Sequence, residues 1–579
     1  MVRITRLLIM LFCMQMTVSH AADSPDPDKS SSKIDVRVII DISGSMKKND
    51  PKNLRVPALK LLIGLLPEGV DTGVWTFGTK VKPLVKHGIV DKKWKAKANK
   101  AVKKISSRDQ YTNVENALNV VAQDWDEDDA QTKRNIIILT DGMVDVSKKQ
   151  EVSDQSRQRI LDEVLPMLQN KNVTVNTISL SENADLELMD ALAVGTDGWS
   201  EQVNEAEQLQ RVFLHMFEKS APRDTVPLEG NKFTIDKMIE EFTLLVFRNN
   251  EIKPTTITPP KGEKFDQKSR PKNIAWLEED GYDLITITKP IAGEWKIDAD
   301  IDPDNRVMVV TKLKLHTSDI PNTIFVGEEY DYKFWVTAGG KKINKDAFYN
   351  LIEMKMTQAS DGEIQEVWDL EKRNSENEFD IRLGKTFGVG EIELSVIVDG
   401  KTFKRQHKQT INVYEKIYDV EDESKQFPDG KNVYQLRIIP KGKVLNLSTF
   451  KTMANVTAPD GSNSQIEAKM VLRGNAWLVT ISDPKPGQYT VVLDIEAKTK
   501  SDRKVNVTSD PIELGKQVED AVIEEDDIEE VEEILEETDW MKIGIIMLVA
   551  NLVLFGSIAG VLLFLKKRKE KAIEPKDEL

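Results

Sequence analysis

The sequence predicts a multidomain protein: an α/β doubly wound parallel sheet, then β-sandwich-like domains, an acidic linker and one transmembrane helix. Three observations predict it. From Ile34, apolar strand-like runs alternate with amphipathic helical ones; after Pro222 the runs become short and alternating; and Ile543 to Leu565 is a stretch of 23 residues without a charge. At 579 residues the chain is also too long for one core, because a domain takes roughly 100–200 residues.

Residues 1–22 read as a secretory signal peptide. Arg3 and Arg6 precede the apolar run LLIMLFCMQMTV, and the segment closes on SHAA, with cleavage expected beside Ala21 or Ala22. An uncleaved anchor is the alternative, and both export the residues that follow. The one cysteine, Cys13, falls inside this segment, so stability is expected from packed cores and a metal rather than from disulfides. That favours a bacterial periplasmic setting.

Residues 33–218 read as the α/β domain. IDVRVIID is a strand, VPALKLLIGLLP (56–67) a helix and VDTGVWTFG (70–78) a strand. A basic helix, WKAKANKAVKKI (94–105), and an amphipathic one, NVENALNVVAQDW (113–125), follow. NIIILTDG (135–142) is a central strand, a helix spans roughly 152–169, and VTVNTISLS (173–181) is a strand. The helix DLELMDALA, a short edge strand near Gly198 and a helix over 204–218 complete the unit. Such alternation calls for a parallel sheet covered on both faces, and these sheets place ligands at the carboxyl ends of their strands.

That rule gives the stretch VIIDISGSMKK its interest. Asp41 ends the first strand, and Ser43 and Ser45 lie in the loop after it. Asp141 follows the strand in ILTDG, and Thr112 opens a helix. Hydroxyls and carboxylates without imidazole or thiolate form a hard-oxygen set that suits Mg²⁺, and less strictly Mn²⁺ or Ca²⁺, better than zinc. Ser and Asp after a strand also serve as turn and N-cap residues, so one loop alone does not separate the two readings. Oxygen-bearing residues converging from three separate loops favour the metal.

DISGSM with a distant Thr and Asp resembles the metal-ion-dependent adhesion site of the von Willebrand factor type A family, over residues 33–218. The resemblance implies that Ser43, Ser45 and Thr112 contact the metal directly, that Asp41 and Asp141 hold it through water, and that a protein partner's Asp or Glu fills the open position. One departure is Gln110 and Tyr111 before the threonine, where the family often has glycines.

Enzyme signatures are not evident. The sequence lacks GxGxxG, a Walker loop and HExxH, its five histidines have no metal-like spacing, and Ser43 has no evident histidine base. No enzymatic activity is expected, the residual option being an unrecognised hydrolytic module in the β region.

Residues 225–308, 309–415 and 416–514 read as three β-sandwich-like units. ITKPIAGEWKIDAD (287–300) and ISDPKPGQYTVVLD (481–494) share a proline, a glycine and then Trp295 or Tyr489, read as aromatics that plug a sandwich core. In series, such units are expected to act as a stalk, unless they pack on one another.

Residues 519–539 hold 13 acidic residues and no basic one, and read as an acidic juxtamembrane segment, extended or amphipathic. Residues 543–565 are long enough to cross the roughly 30 Å hydrocarbon core as a helix. KKRKEK then opens a short cytoplasmic tail, 566–579, whose terminal KDEL lies on the wrong side of the membrane for a lumenal receptor. The net charge of −16 argues against nucleic acid as a partner. The expected protein is therefore a membrane-anchored, metal-dependent recognition or adhesion module of the bacterial inner membrane with its bulk in the periplasm. The alternatives are another membrane with the bulk extracytosolic, and a structural or assembly protein of the envelope whose type A-like domain is a scaffold or is occupied from within the chain. Oligomeric state is not legible.

Overall fold

In a computed structural model, the residues described are 33–515 apart from 127–131, 222, 249–253, 371–372, 426–432, 443, 472–474, 483, 486 and 501. The expected signal peptide, acidic segment, membrane span and tail lie outside them. Among the described residues no helix is long and apolar enough to cross a membrane.

The first domain is built on β1 (Lys33–Asp41), β2 (Asp71–Phe77), β3 (Lys82–Ile89), β4 (Thr132–Thr140), β5 (Val173–Ser179) and β6 (Ser200–Gln202). They lie in the order β3-β2-β1-β4-β5-β6. Around them run α1 (Met46–Asn49), α2 (Arg55–Leu65), α3 (Lys92–Val102), α4 (Val114–Ala122), α5 (Gln150–Arg159), α6 (Leu165–Asn170), α7 (Leu186–Gly195) and α8 (Leu209–Ser220). Period-two alternation sends Val36, Val38 and Ile40 to the face covered by α2, α3 and α8, and Ile39 to the face covered by α4 to α7. The sheet is thus doubly wound.

Two elements differ from expectation. The sheet is not wholly parallel, because β3 runs antiparallel to β2 at one edge. Its sequence, KPLVKHGI, leaves Lys82, Pro83 and Lys86 exposed, which suits an edge and hides the strand from a search for apolar runs. The helix expected over 152–169 is α5 and α6 joined by a π-helical turn, Ile160–Val164, just before Pro166. Proline lacks the N–H for the regular ladder, and the wider turn accommodates its ring.

Among the described residues past 222, the regular structure is almost entirely β. Separate hydrophobic clusters occupy residues 226–309, 313–413 and 417–514, the last also taking in Phe325. One ten-stranded sheet nonetheless runs through the first two of these regions. The two-residue strand Thr225–Val226 joins it, pairing with Arg306–Thr311 on one side and with Gln406 on the other. The echoed motifs occupy equivalent settings. Gly293 and Gly487 have φ of +135° and +132°, and a Cβ there would meet Pro260 at 2.7 Å and Pro459 at 2.6 Å. Trp295 packs edge-on against Phe242, and Tyr489 against Tyr434.

The stalk arrangement is not what forms. Leu245, Phe247, Tyr282, Leu284 and Met308 belong to the same core as α2 and α8, so the first β region covers an outer helix face of the α/β domain. Tyr282 donates to Pro57 O at 3.0 Å, and Lys60 pairs with Glu279 at 2.5 Å. The physical reason was visible in α2, which buries nine of its eleven residues. A helix apolar all round needs cover on both sides.

Candidate functional site

The loop Ile42–Asn53 is shaped by side-chain bonds to its own backbone and to β4. Asp41 is fully buried at the end of β1. Its Oδ1 accepts from Ser43 N at 2.7 Å, and its Oδ2 from Thr140 Oγ1 at 2.7 Å on β4. Burial pushes its pKa up from 3.8 to about 6; the nearby charge of Asp141 adds to this, while the hydrogen bonds from Thr140 and Ser43 oppose it. Burial likewise raises the Asp141 carboxyl, against bonds from Ser45 and Asn49.

The hydroxyls continue the chain of contacts. Ser43 Oγ lies 3.0 Å from Ser45 Oγ, and Ser45 donates to Asp141 Oδ1 at 2.8 Å. Asn49 Nδ2 donates to the other carboxylate oxygen at 2.9 Å. Thr112 is held by two backbone bonds with Asp145, at 2.8 and 3.1 Å. Its hydroxyl lies in the same neighbourhood: a Cβ on Gly142 would be 3.7 Å from Thr112 Oγ1 and 3.9 Å from Ser45 Oγ. All five residues expected from the sequence therefore gather at the carboxyl ends of β1 and β4.

Behind them sits a buried ion pair. Arg55 Nε meets Asp50 Oδ2 at 2.6 Å, and its other nitrogens donate to Asp41 O, Asn53 Oδ1 and Ser107 Oγ. Asp109 ties the Thr112 loop down: its backbone N donates to Ile42 O at 3.0 Å, and its Oδ1 accepts from Thr79 at 2.6 Å. Gln110, in the place of a glycine, is exposed and donates its backbone N to Asp109 at 3.1 Å. Sequence reading missed Asn49, Thr140, Arg55 and Asp109. Asn49 was discoverable, since it stands one helical turn after Ser45; the others carry no local signal.

Among the described residues no group of three or more His, Cys, Asp or Glu forms a metal cluster. The donor set here is instead two carboxylates and three hydroxyls. Two neighbouring carboxyls, each raised by burial, are a setting that a divalent cation would relieve, and oxygen-only ligation fits Mg²⁺, Mn²⁺ or Ca²⁺. The residues present fit such an ion.

Residues 34–201 match the von Willebrand factor type A domain. All five site residues fall inside the matched range. The chain is also similar, at low identity, to solved structures. A von Willebrand factor type A protein from Catenulispora acidiphila is 16% identical over 54% of this chain and 63% of its own, with a TM-score of 0.28. The ArnB paralog VWA2 from Sulfolobus acidocaldarius is 17% identical over 54% of this chain and 64% of its own, with a TM-score of 0.25. Proximal thread matrix protein 1 from the mussel byssus, with a zinc occupied MIDAS motif, is 16% identical over 34% of this chain and 50% of its own, with a TM-score of 0.26. This chain thus spans less than two thirds of each of these proteins. A comparison with curated proteins finds no match.

Proposed function

We propose that the type A domain binds a protein partner through a divalent cation, Mg²⁺ above Mn²⁺ or Ca²⁺. Type A domains commonly mediate metal-dependent protein interaction and are typically not enzymes. Ser43, Ser45 and Thr112 would hold the ion directly, and Asp41 and Asp141 through water. When bound, the ion supplies a position for a carboxylate from the partner's Asp or Glu. The chain's own work is orientation: Thr140 and Ser43 N fix Asp41, Asn49 fixes Asp141, and Arg55 holds the backbone of the loop. The single observation that carries the reading is the hydroxyl bridge from Ser43 through Ser45 to Asp141 beside Thr112.

The finer reading is a single-pass protein of the bacterial inner membrane with its bulk in the periplasm, which the signal-like start and the uncharged run 543–565 support. Titration of the detergent-solubilised full chain with Mg²⁺ and Mn²⁺ tests the site. Wild type is expected to bind one ion, and Asp41→Ala to lose most of that affinity while remaining folded. Equal affinity in both sinks the reading. Retrieval of membrane proteins with and without EDTA then tests the partner.

A scaffold role in envelope assembly is the second reading. It is favoured by the core that the type A domain shares with the first β region. The five site residues lie outside that core.

A further inference from the structure

Charge is distributed unevenly along this acidic chain. Residues 80–108 hold ten lysines and Arg108 against one acid, Asp91, a local balance of +10 within a net charge of −16. The structure assembles this segment into one edge of the type A domain, made of the edge strand β3 and α3 packed beside it. Trp94 Nε1 donates to Lys86 O at 3.2 Å, joining helix to strand.

The sorting of side chains on α3 is strict. Ala98 and Val102 face inward, and Lys95 turns in to donate to Gly64 O at 2.8 Å. The outer arc carries Lys92, Lys93, Lys97 and Lys100, followed by Lys103 and Lys104, all exposed. Lys82 and Lys86 on β3, and Lys80 just before it, are exposed too. None of these nine makes an ion pair with a described residue. Asp91 accepts from Trp94 N at 2.6 Å as the cap of α3, and its single charge stands against ten lysines and Arg108. Lys93 and Lys97 are like-charge neighbours one turn apart on α3, a pairing that weakens a helix. A solvated surface has no need of that arrangement in a chain already far from neutrality.

We propose that this edge is a docking surface for an anionic lipid bilayer. Three features favour lipid over an acidic protein. The cations are lysines, compact point charges that suit a diffuse anionic surface, whereas paired recognition of a protein carboxylate favours the guanidinium fork. The lysines stand on the exposed outer side of a helix and an edge strand, which leaves them open to a planar sheet of headgroups. Ile89, 63% exposed, and the half-buried Trp94 sit among the lysines, and apolar and indole groups of this kind enter the headgroup boundary beside basic residues. The rest of the chain carries a net charge of −26, −16 less the +10 of this segment, and is repelled by the same bilayer, which favours contact through this edge. The inference stands apart from the cation site.

The test uses the full chain held in neutral phosphatidylcholine nanodiscs and vesicles added in trans, either pure phosphatidylcholine or containing phosphatidylglycerol. Cosedimentation is expected only with the anionic vesicles, falling with added NaCl and persisting in EDTA, which separates it from the cation site. Lys93→Gln with Lys97→Gln and Lys100→Gln is expected to lower partitioning on the order of a hundredfold. Arginine at the same three positions is expected to restore it, and Ile89→Ser to weaken it several-fold. Equal binding to neutral vesicles, or an unaffected glutamine variant, overturns the proposal. So does displacement by a polyglutamate peptide that binds as tightly as the vesicles, which would make the edge a reader of acidic protein.

Discussion

The Ser45 hydroxyl donates to Asp141 Oδ1 at 2.8 Å, a bond between residues 96 positions apart that ties the loop after β1 to the end of β4. Ser45 is exposed whereas Asp141 is buried. The pair therefore sits at the edge of the domain surface with its carboxylate buried, and Asn49 donates to the second carboxylate oxygen at 2.9 Å.

Ser45→Ala removes this hydroxyl without opening a core cavity. Mg²⁺ affinity is expected to fall by at least the roughly tenfold seen for residues that only orient metal ligands. Stability should change by about 1 kcal/mol or less. Calorimetric titration and urea denaturation of the full chain measure the two. Unchanged affinity would remove Ser45 from the ligand set.

The two carboxyls set a pH dependence with a definite sign. Burial raises Asp41 from 3.8 to about 6, and raises Asp141 as well. A folded pKa above the unfolded value means that the folded state holds the proton longer. Stability of the metal-free protein is therefore greatest below about pH 4 for these groups and falls through about pH 6, by ~3 kcal/mol for Asp41 alone. Saturating Mg²⁺ favours the ionised forms and should flatten the fall. Denaturation midpoints across that window, with and without Mg²⁺, decide it: slopes that stay parallel would show that no cation reaches these carboxyls.

Arg55 is 1% exposed and gives Asp50 its charge partner, while also holding Asp41 O at 2.6 Å. Arg55→Met leaves the Asp50 carboxylate buried with only backbone N–H donors from Leu54 and residue 55. Uncompensated burial of this kind costs on the order of 3–5 kcal/mol. Urea denaturation at neutral pH should show a loss of that size together with weaker Mg²⁺ binding. A loss under about 1 kcal/mol would mean that the loop is held from elsewhere.

The α/β domain and the gathering of the five candidate residues were legible in the sequence because their signals are local. Val36, Val38 and Ile40 alternate with Ile39 in one strand, and each expected ligand stands within a few residues of a strand end or helix start. What was not legible is carried by pairings across long separations. The strand Thr225–Val226 is too short to register as a pattern, yet it brings two regions into one sheet. Leu245 and Leu284 alternate like any core residues, and nothing in their pattern says that they face α2 rather than their own sandwich. Lys60 meets Glu279 across 219 residues, with no signal at either end.

Arg503 makes the same point and supports a test of the whole arrangement. From the last β region its Nε donates to Asp197 of the type A domain at 2.9 Å. Its Nη1 meets Glu328 and the Tyr330 hydroxyl, and its Nη2 donates to Thr323 O at 3.2 Å, all in the second β region. Thr323 in turn donates to Gly198 O at 2.7 Å, where the backbone passes so close to β5 that a Cβ would lie 2.0 Å from Val175 O. One guanidinium thus ties three regions together, and the Glu328 side chain it pairs with is only 2% exposed. Arg503→Met should cost on the order of 3–5 kcal/mol, because Glu328 would stay buried without its cation. Since the tie joins regions with separate cores, urea unfolding should split into two transitions, with residues 416–514 becoming protease-sensitive first. Lys498→Met, which removes an exposed pair with Asp502, is the matched control and should shift stability by less than about 1 kcal/mol. A single transition for Arg503→Met at the control's midpoint would show that apolar contact alone holds the regions together.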